Sequence, residues 1–338
     1  MGVATRGGMK MKPGRSEHFH QLLRGALLAA ALILPTTGHT VPSALAAEIQ
    51  SGWITLPARS FAVQRVRLKD LVATLSVQVG PGPVTLQMSG IKRRLDAVDV
   101  HKDGGVLTIS GHSNYGVWDW HNWFDFGDTH NRAPGQLKVT LRVPAGTDLQ
   151  LQSLIGNAQI GNTMGQLDFG AISTHSSIGQ VGEAHIRLAG SGTLQIAGVH
   201  GPLKLDIAGS GKVIVGQSGP VDENLAGAGD AHLGQINGGL HLAIAGSGNA
   251  VAQSVNGPVK VDIAGSGSVH IASGTADPLH LDIMGSGNFD FGGHAVDPHL
   301  SAMGSGSVWL GSYSGNLSTS GNVHLSIGQN KSSAAARH

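Results

Sequence analysis

A glycine triplet that recurs at a nearly constant interval constrains the fold of this chain more than any other feature. It reads Gly-Ser-Gly or Gly-Ala-Gly, and successive copies are separated by 19, 18, 19, 19, 20 and 19 residues. The copies begin at Gly190, Gly209, Gly227, Gly246, Gly265, Gly285 and Gly304. A short repeat of fixed period is typical of a solenoid, in which units stack because one unit alone cannot bury its apolar side chains.

The residues on either side of each triplet alternate between apolar and polar side chains. Leu203-Lys-Leu-Asp-Ile207 precedes one triplet, and Val269-His-Ile271 follows another. A period of two is typical of a half-buried strand, so each unit is predicted to contain strand, glycine turn, strand and turn. A tight corner often requires a positive φ, which glycine adopts without steric cost. The sequence therefore predicts an all-β protein, a single-stranded parallel β-helix (β-solenoid) with coils of about 19 residues.

Alignment of the repeats predicts which side chains face inward. The residue two positions before each triplet is expected to form an aliphatic stack, whose members are Leu188, Ile207, Leu225, Ile244, Ile263, Ile283 and Ala302. Residues three and five positions before the triplet are mostly polar and are expected to face outward. Glu223 falls at an inward position, in the unit that is one residue short. We expect a local bulge to turn its side chain outward, and a buried functional carboxylate is the alternative.

Composition excludes several other fold classes. The chain of 338 residues contains 52 Gly and no Cys, and 13 % of its residues are charged. A helical bundle needs more Glu, Lys and Leu, a disulfide-stapled miniature needs cysteines, and collagen needs Gly at every third position. Because 40 % of the residues are hydrophobic, the chain can bury a core, which argues against wholesale disorder.

Residues 1–47 have the pattern of a secretory signal peptide. A basic start is followed by an apolar run of ten residues, 25–34, and by the small-residue segment Ser43-Ala-Leu-Ala-Ala47. The apolar run is short for a membrane span and suits a cleaved signal, although a retained anchor is the alternative. We expect an exported protein, periplasmic, on the cell surface or secreted, with no transmembrane span after cleavage.

The charge that remains after this cleavage argues against a nucleic-acid partner. Residues 1–47 hold five of the 22 Lys and Arg and one of the 21 Asp and Glu, so the remainder carries 17 basic and 20 acidic side chains, a net charge near −3. Nucleic-acid binders normally show a clustered basic excess. The single basic run, Lys92-Arg93-Arg94, is interpreted as a solvated strand end.

The remaining chain divides by the regularity of its repeats. Residues 48–150 contain strand-like segments without a fixed period and are predicted to form an irregular β N-terminal cap, because an exposed coil end leaves unpaired edge groups. Residues 151–328 are predicted to form the β-solenoid repeats, and residues 329–338 a flexible tail.

Several segments carry a more specific resemblance. They read LDIAGSGKVIV (205–215), VDIAGSGSVHI (261–271), LDIMGSGNFDF (281–291), FAVQRV and VATLSVQVGPGPVTLQMSG (within 61–90), and LKVTLRVPAG (137–146). On these residues the chain resembles the autotransporter-adhesin head GIN domain family over nearly all of its length after residue 47. The resemblance implies an exported, glycine-rich β-helix with an adhesin-like function and no catalytic residues. The chain departs from the family pattern at Ala73-Thr74-Leu75, where Gly-Ile-Asn is expected, and by an aromatic insertion at 113–133.

The insertion at 113–133 is the strongest candidate binding segment. Six of the 14 aromatic residues lie within positions 115–126. One interpretation is that their rings pack on the solenoid. Another is a glycan- or surface-binding patch in which Trp118, Trp120 and Trp123 supply flat stacking faces. The other candidate ligand-binding residues are Tyr115, Asp119, His121 and Asp125. Membrane insertion is a third interpretation, which the interleaved Asp residues disfavour.

An enzyme on the same scaffold is the competing class. Asp262 and Asp282 on adjacent coils are expected about 5 Å apart, a separation compatible with a retaining glycosidase. Stacking produces such pairs automatically, so we expect a non-catalytic, adhesin-like envelope interaction module, with a polysaccharide lyase or glycoside hydrolase as the alternative.

The outward-facing positions of the repeats also indicate which cofactors and partners to expect. His280, His299 and Asp282 are weak candidates for a metal site, and we interpret them as a surface ladder, so no metal and no cofactor are expected. The expected partners are glycans or other envelope components. Self-association is a further interpretation, since stacked edges can join end to end.

Overall fold

The structure of the protein is a computed structural model, and it describes residues 52–111 and 137–328. Strands dominate these residues and form a β-solenoid of about nine turns with a spacing of about 19 residues. The described residues contain one short helix, α1 (Lys92–Asp96). None of their helices is long and apolar enough to cross a membrane. The predicted fold class is confirmed.

The strands of the repetitive part form two parallel ladders. In chain order these strands are β9 (Asp148–Ile155), β10 (Ala158–Ile160), β11 (Gln166–Val181), β12 (Glu183–Val199), β13 (Leu203–Gly209), β14 (Lys212–Ser218), β15 (Val221–Gly227), β16 (Asp230–Asn237), β17 (Leu240–Gly246), β18 (Asn249–Gly265), β19 (Ser268–Ile271), β20 (Gly274–Gly285), β21 (Asn288–Val296), β22 (His299–Gly304), β23 (Ser307–Ser314), β24 (Ser318–Gly321) and β25 (His324–Ile327). The first ladder holds the strand before each glycine corner, so β13 pairs with β12 and β15. The second ladder holds the strand after the corner, so β14 pairs with β12 and β16.

Antiparallel strands cover the N-terminal end of these ladders. The strands before β9 are β1 (Trp53–Thr55), β2 (Arg59–Phe61), β3 (Arg65–Lys69), β4 (Thr74–Val79), β5 (Val84–Ile91), β6 (Val98–Asp103), β7 (Val106–Gly111) and β8 (Leu137–Val143). β3 pairs in parallel with β7 and β9, and β4 pairs in parallel with β8 and β10. β6 is antiparallel to β7, and β5 is antiparallel to β8, β1 and β2. This is the predicted irregular cap, and it supplies hydrogen-bond partners at the end of the solenoid.

The basic run that follows β5 differs from its sequence interpretation. Lys92-Arg93-Arg94 does not end a strand but begins α1, so that prediction was wrong. Lys, Arg and Leu favour a helix. The Lys92 Nζ atom lies 2.6 Å from the carboxylate of Asp96 one turn later, and the side chain of Leu95 is buried. A single helical turn therefore buries Leu95 while the side chains of Lys92, Arg93 and Asp96 reach solvent.

The core lies between the two ladders and runs continuously from coil to coil. Ile207, Ile263 and Ile283 are each at most 2 % exposed, as the repeat alignment predicts. The opposite wall is formed by the second ladder, where Phe289 and Phe291 are fully buried. Each such side chain contributes about 1.5 to 3 kcal/mol through its burial, and stacking makes the contribution cumulative along the solenoid.

Each corner has two glycines, and each position requires glycine for a different physical reason. The first glycine adopts a positive φ, for example +129° at Gly265. The second glycine, at the third position of the triplet, leaves no room for a side chain. A Cβ on Gly267 would lie 2.7 Å from Cγ2 of Ile244 on the preceding coil. The residue between them faces solvent, and the backbone N–H of Ser266 donates a hydrogen bond of 2.9 Å to the carbonyl of Gly246.

Glu223 lies inside the core, which overturns the expectation that a bulge turns it outward. It stands in unbroken register between Leu205 and Leu242 and is fully buried. The short coil loses its residue elsewhere. Ser218 and Val221 are three positions apart, whereas their partners Ile236 and Leu240 are four apart. The turn takes up the deletion, and the strand keeps its inward and outward alternation.

Candidate functional site

The outward side chains of the first ladder form a regular surface, which we call the outer face. Three columns of residues define it, because in-register parallel strands place equivalent positions above one another. The column five residues before each triplet contains His185, Lys204, Asp222, His241, Lys260, His280 and His299. The column three residues before it contains Arg187, Asp206, Asn224, Ala243, Asp262, Asp282 and Ser301. The column immediately before it contains Ala189, Ala208, Ala226, Ala245, Ala264, Met284 and Met303.

Charges in the two polar columns are paired between coils. The guanidinium of Arg187 contacts the carboxylate of Asp168. His185 Nε2 lies 3.1 Å from Asp206, and Lys204 Nζ lies 3.8 Å from Asp222. The side chains of these pairs are partly exposed to solvent, which screens the charges, so each pair contributes little to stability. Their main effect is to keep this part of the outer face close to electrical neutrality.

Asp206 shows how closely these columns interact. Partial burial alone raises the pKa of its carboxyl. Hydrogen bonds from Asn224 and His185 and the charge of Lys204 outweigh that effect, so the pKa of Asp206 lies below its usual value. The amide of Asn224 donates its hydrogen bond over 2.8 Å. Asp206 is therefore held as a carboxylate and is already engaged within the protein.

A shallow depression of about 320 Å³ interrupts the outer face. Its floor is formed by the small side chains of the third column, Ala226, Ala245 and Ala264. Asn224, Ala243, Asp262 and Asp282 border one side, and Met284 stands at the end. The depression exists because Ala243 occupies a position that larger side chains hold on most other coils.

The aspartates at this depression differ in their surroundings. Asp262 and Asp282 are in register on neighbouring coils. The carboxylate of Asp262 lies 3.0 Å from Lys260 Nζ and 3.6 Å from His241 Nε2. Among the described residues, no cation lies within ion-pair distance of Asp282. An unbalanced carboxylate therefore stands beside an apolar floor.

The methionines beside Asp282 are the most exposed apolar side chains of the outer face. Met284 is 62 % exposed and Met303 is 71 % exposed. Both belong to the column that is alanine on the preceding five coils. An apolar strip thus continues from the depression towards the last coils.

The histidines named as weak metal candidates stack on each other. The rings of His280 and His299 are parallel within 3° with centroids 5.0 Å apart. His299 Nδ1 lies 2.9 Å from the carbonyl oxygen of Asp297. Within residues 52–111 and 137–328, no group of three or more His, Cys, Asp or Glu side chains is arranged to hold a metal ion.

The predicted aromatic site lies outside the described residues. This applies to Tyr115, Trp118, Asp119, Trp120, His121, Trp123 and Asp125. The same is true of the predicted signal peptide, 1–47, and of the predicted tail, 329–338. These expectations stay predictions.

Sequence reasoning missed the depression, although a signal for it is present. The residue before the glycine triplet is Ala in five units and Met in the next two. A column of alanines that stay exposed among the described residues marks a flat strip. The position of Ala243 between Asn224 and Asp262 then indicates where the strip widens.

Comparisons with known proteins give a limited likeness of fold. No family model matches the chain, and no curated protein matches it. Among solved structures, a "putative adhesin" from Parabacteroides merdae is 10 % identical, with a TM-score of 0.38, and the match covers 81 % of this chain and 95 % of that one. A "putative adhesin" from Parabacteroides distasonis is 13 % identical, with a TM-score of 0.37 and coverage of 80 % and 97 %.

A third solved structure has a different name. It is a "putative lipid binding protein" from Parabacteroides distasonis, 15 % identical, with a TM-score of 0.34 and coverage of 82 % and 96 %. Superpositions at these scores carry no weight for function. The assignment of the fold rests on the strand pairing of this chain.

Proposed function

We propose that this chain is an exported, non-catalytic, adhesin-like module that binds glycans or other cell-envelope components through the outer face of its solenoid. The depression on that face carries the proposal. Its flat alanine floor suits the apolar face of a sugar ring, and Asn224, Asp262 and Asp282 supply hydrogen-bonding groups along one edge. Ligand sites typically combine such an apolar surface with a few placed polar groups.

The regular spacing of the coils also favours an extended ligand. Strands of a sheet are about 4.8 Å apart, so the three steps from Asn224 to Asp282 span about 14 Å. That length accommodates a short oligosaccharide lying across the strands. The depression is open at the surface, which suits a segment within a longer polymer.

The aromatic insertion belongs to the same proposal as a second contact. Trp118, Trp120 and Trp123 offer flat rings for stacking on sugars, and Tyr115, Asp119, His121 and Asp125 offer hydrogen bonds. Six aromatic residues within positions 115–126 support this role. Export to the periplasm or the cell surface is proposed from the pattern of residues 1–47.

A matched pair of substitutions tests binding at the depression. Ala245→Gln fills the floor, whereas Ala208→Gln adds the same side chain to the same column outside the depression. Binding of both variants to a panel of neutral and acidic polysaccharides and to isolated cell envelopes is measured beside the unmodified chain. We expect Ala245→Gln to weaken binding about tenfold, equivalent to ~1.4 kcal/mol, and Ala208→Gln to leave it unchanged. Equal binding by all three proteins overturns the proposal.

A polysaccharide-active enzyme is the second candidate. The register of Asp262 and Asp282 favours it, because two carboxylates about 5 Å apart are the arrangement of retaining glycosidases. The same polysaccharide panel is assayed for new reducing or unsaturated ends. Release of such ends that Asp282→Asn abolishes replaces the binding module with the enzyme.

A further inference from the structure

Asp282 differs from the other acidic residues on the outer face. Three other carboxylates have a lysine or arginine within ion-pair distance: Asp168 pairs with Arg187, Asp222 with Lys204, and Asp262 with Lys260. Asp206 is stabilised by the charge of Lys204 and by hydrogen bonds from Asn224 and His185. Asp282 lacks such a partner among the described residues. Its neighbours in register are Asp262 and Ser301, and neither carries a positive charge.

Two aspartates in register repel each other. Carboxylates directly opposite on paired strands are destabilising unless a cation lies near them. Lys260 balances one of the two negative charges, through Asp262. His241 also lies 3.6 Å from Asp262, so one negative charge is left at the end of the depression when imidazole groups are neutral. A ligand cation placed between Asp262 and Asp282 would neutralise it.

The surroundings of that charge are apolar. Ala264 and Met284 line the depression beside Asp282, and Met284 exposes 62 % of its surface. A small, fully hydrated metal ion gains nothing from such neighbours. A cation attached to a flat apolar body gains both the charge interaction and the burial of apolar surface.

We infer that the depression binds an amino sugar that carries a free, protonated amino group. The ammonium group lies between Asp262 and Asp282, and the apolar face of the ring lies on Ala245 and Ala264. This inference rests on the proposed glycan-binding function and names the class of glycan. A lysine side chain offers the same ammonium group but lacks a flat ring for the alanine floor, so a basic peptide fits less well.

The test compares two oligosaccharides that differ in charge. The probes are a β-1,4-linked hexamer of glucosamine and the same hexamer fully N-acetylated, measured by isothermal titration calorimetry near pH 7, where carboxylates are ionised, imidazole groups are mostly neutral and amines remain partly protonated. We expect the glucosamine hexamer to bind at least about tenfold more tightly than the acetylated hexamer, since the acetyl group removes the charge. The affinity for the glucosamine hexamer is expected to fall with added salt.

Two variants locate the charge effect. Asp282→Asn removes the unbalanced carboxylate and is expected to lower the affinity for the glucosamine hexamer about tenfold. Asp168→Asn removes the same formal charge from an outward position of β11, three coils before Asn224 of the depression, and is expected to change the affinity less than about twofold. Equal losses in the two variants indicate nonspecific attraction and overturn the inference.

The remaining outcomes separate this inference from the proposed function. If both hexamers bind equally and Ala245→Gln weakens both, glycan binding stands and the preference for an amino sugar is rejected. If an oligolysine of equal charge binds as tightly as the glucosamine hexamer, the ring contributes nothing and the inference is overturned. If no glycan binds to the unmodified chain, the proposed function itself fails.

Discussion

Glu223 pairs in register with Leu242 of the next coil, so a carboxyl group occupies the place that leucine holds on the neighbouring coils. Neither carboxyl oxygen of Glu223 has a hydrogen-bond partner within the described residues. Burial raises the pKa of this carboxyl from 4.5 to about 8. Glu223 is therefore uncharged at neutral pH, and ionising it destabilises the folded protein.

The stability of the solenoid is predicted to fall as the pH rises from about 4.5 to about 8. In this window the folded protein keeps a proton on Glu223 that the unfolded chain releases. The free energy of unfolding then decreases by about 1.4 kcal/mol at most per pH unit, and this contribution levels off above the folded pKa. Urea unfolding from pH 5 to 9 measures the slope, and Glu223→Gln is the control that lacks the titrating group. Identical slopes for the two proteins contradict the prediction.

Replacing Glu223 with the residue of its neighbours is predicted to stabilise the fold. Glu223→Leu restores the aliphatic stack between Leu205 and Leu242 and removes an unsatisfied carboxyl, for a gain of about 2 kcal/mol at pH 7. Asp222→Leu is the matched control, since the adjacent side chain faces solvent and its replacement gains no burial in the core. Both are measured by urea unfolding. No gain for Glu223→Leu would show that the site does not accept an aliphatic side chain.

The second glycine of a corner, at the third position of the triplet, is predicted not to tolerate replacement by alanine. A Cβ on Gly267 would meet Ile244 Cγ2 and the Gly248 carbonyl oxygen, each at 2.7 Å. Gly267→Ala is expected to cost about 1 to 3 kcal/mol of unfolding free energy through this overlap. Ser266→Ala, at the exposed position beside it, is expected to stay within about 0.5 kcal/mol of the unmodified protein. Equal stabilities of the two variants would mean that the corner relaxes freely.

The aromatic insertion is predicted to contribute to glycan binding. Replacing Trp118, Trp120 and Trp123 together by Ala removes three stacking surfaces and should weaken binding to the polysaccharide panel at least about tenfold. Tyr313→Ala serves as the control, because it removes an exposed aromatic ring from β23. Circular dichroism establishes that both variants keep their strand content. Unchanged binding of the triple variant rejects the aromatic contact and leaves the depression as the proposed site.

Much of the repetitive fold follows from local sequence. The alternation around each triplet defines two half-buried strands, and the regular interval places equivalent residues in register, so Ile207, Ile263 and Ile283 could be assigned to the core in advance. The positive φ at the first glycine of each corner follows from the same reasoning. These properties depend on residues within one coil and its copy on the next, and for that reason a pattern of period two and an interval of about 19 residues are sufficient to predict them.

The depression required the pairing of several coils. Ala245 is one exposed alanine among many when the chain is considered alone. It becomes a floor only when Ala226 and Ala264 stack on either side and Ala243 leaves the edge open. The unbalanced charge of Asp282 likewise depends on which cations the neighbouring coils bring within reach.

The sequence by itself determined that this chain is a glycine-cornered β-solenoid, because strand alternation and corner geometry are local and are repeated from unit to unit. Tertiary structure alone decided the order of the N-terminal strands. There β3 lies between β7 and β9, and neither of these strands is next to it in the chain. It also decided the burial of Glu223, since the continuous register of β13, β15 and β17 outweighs the cost of desolvating one carboxyl group. Both outcomes arise from pairing between residues that are distant in sequence. A local sequence pattern does not reveal the energies of such pairs.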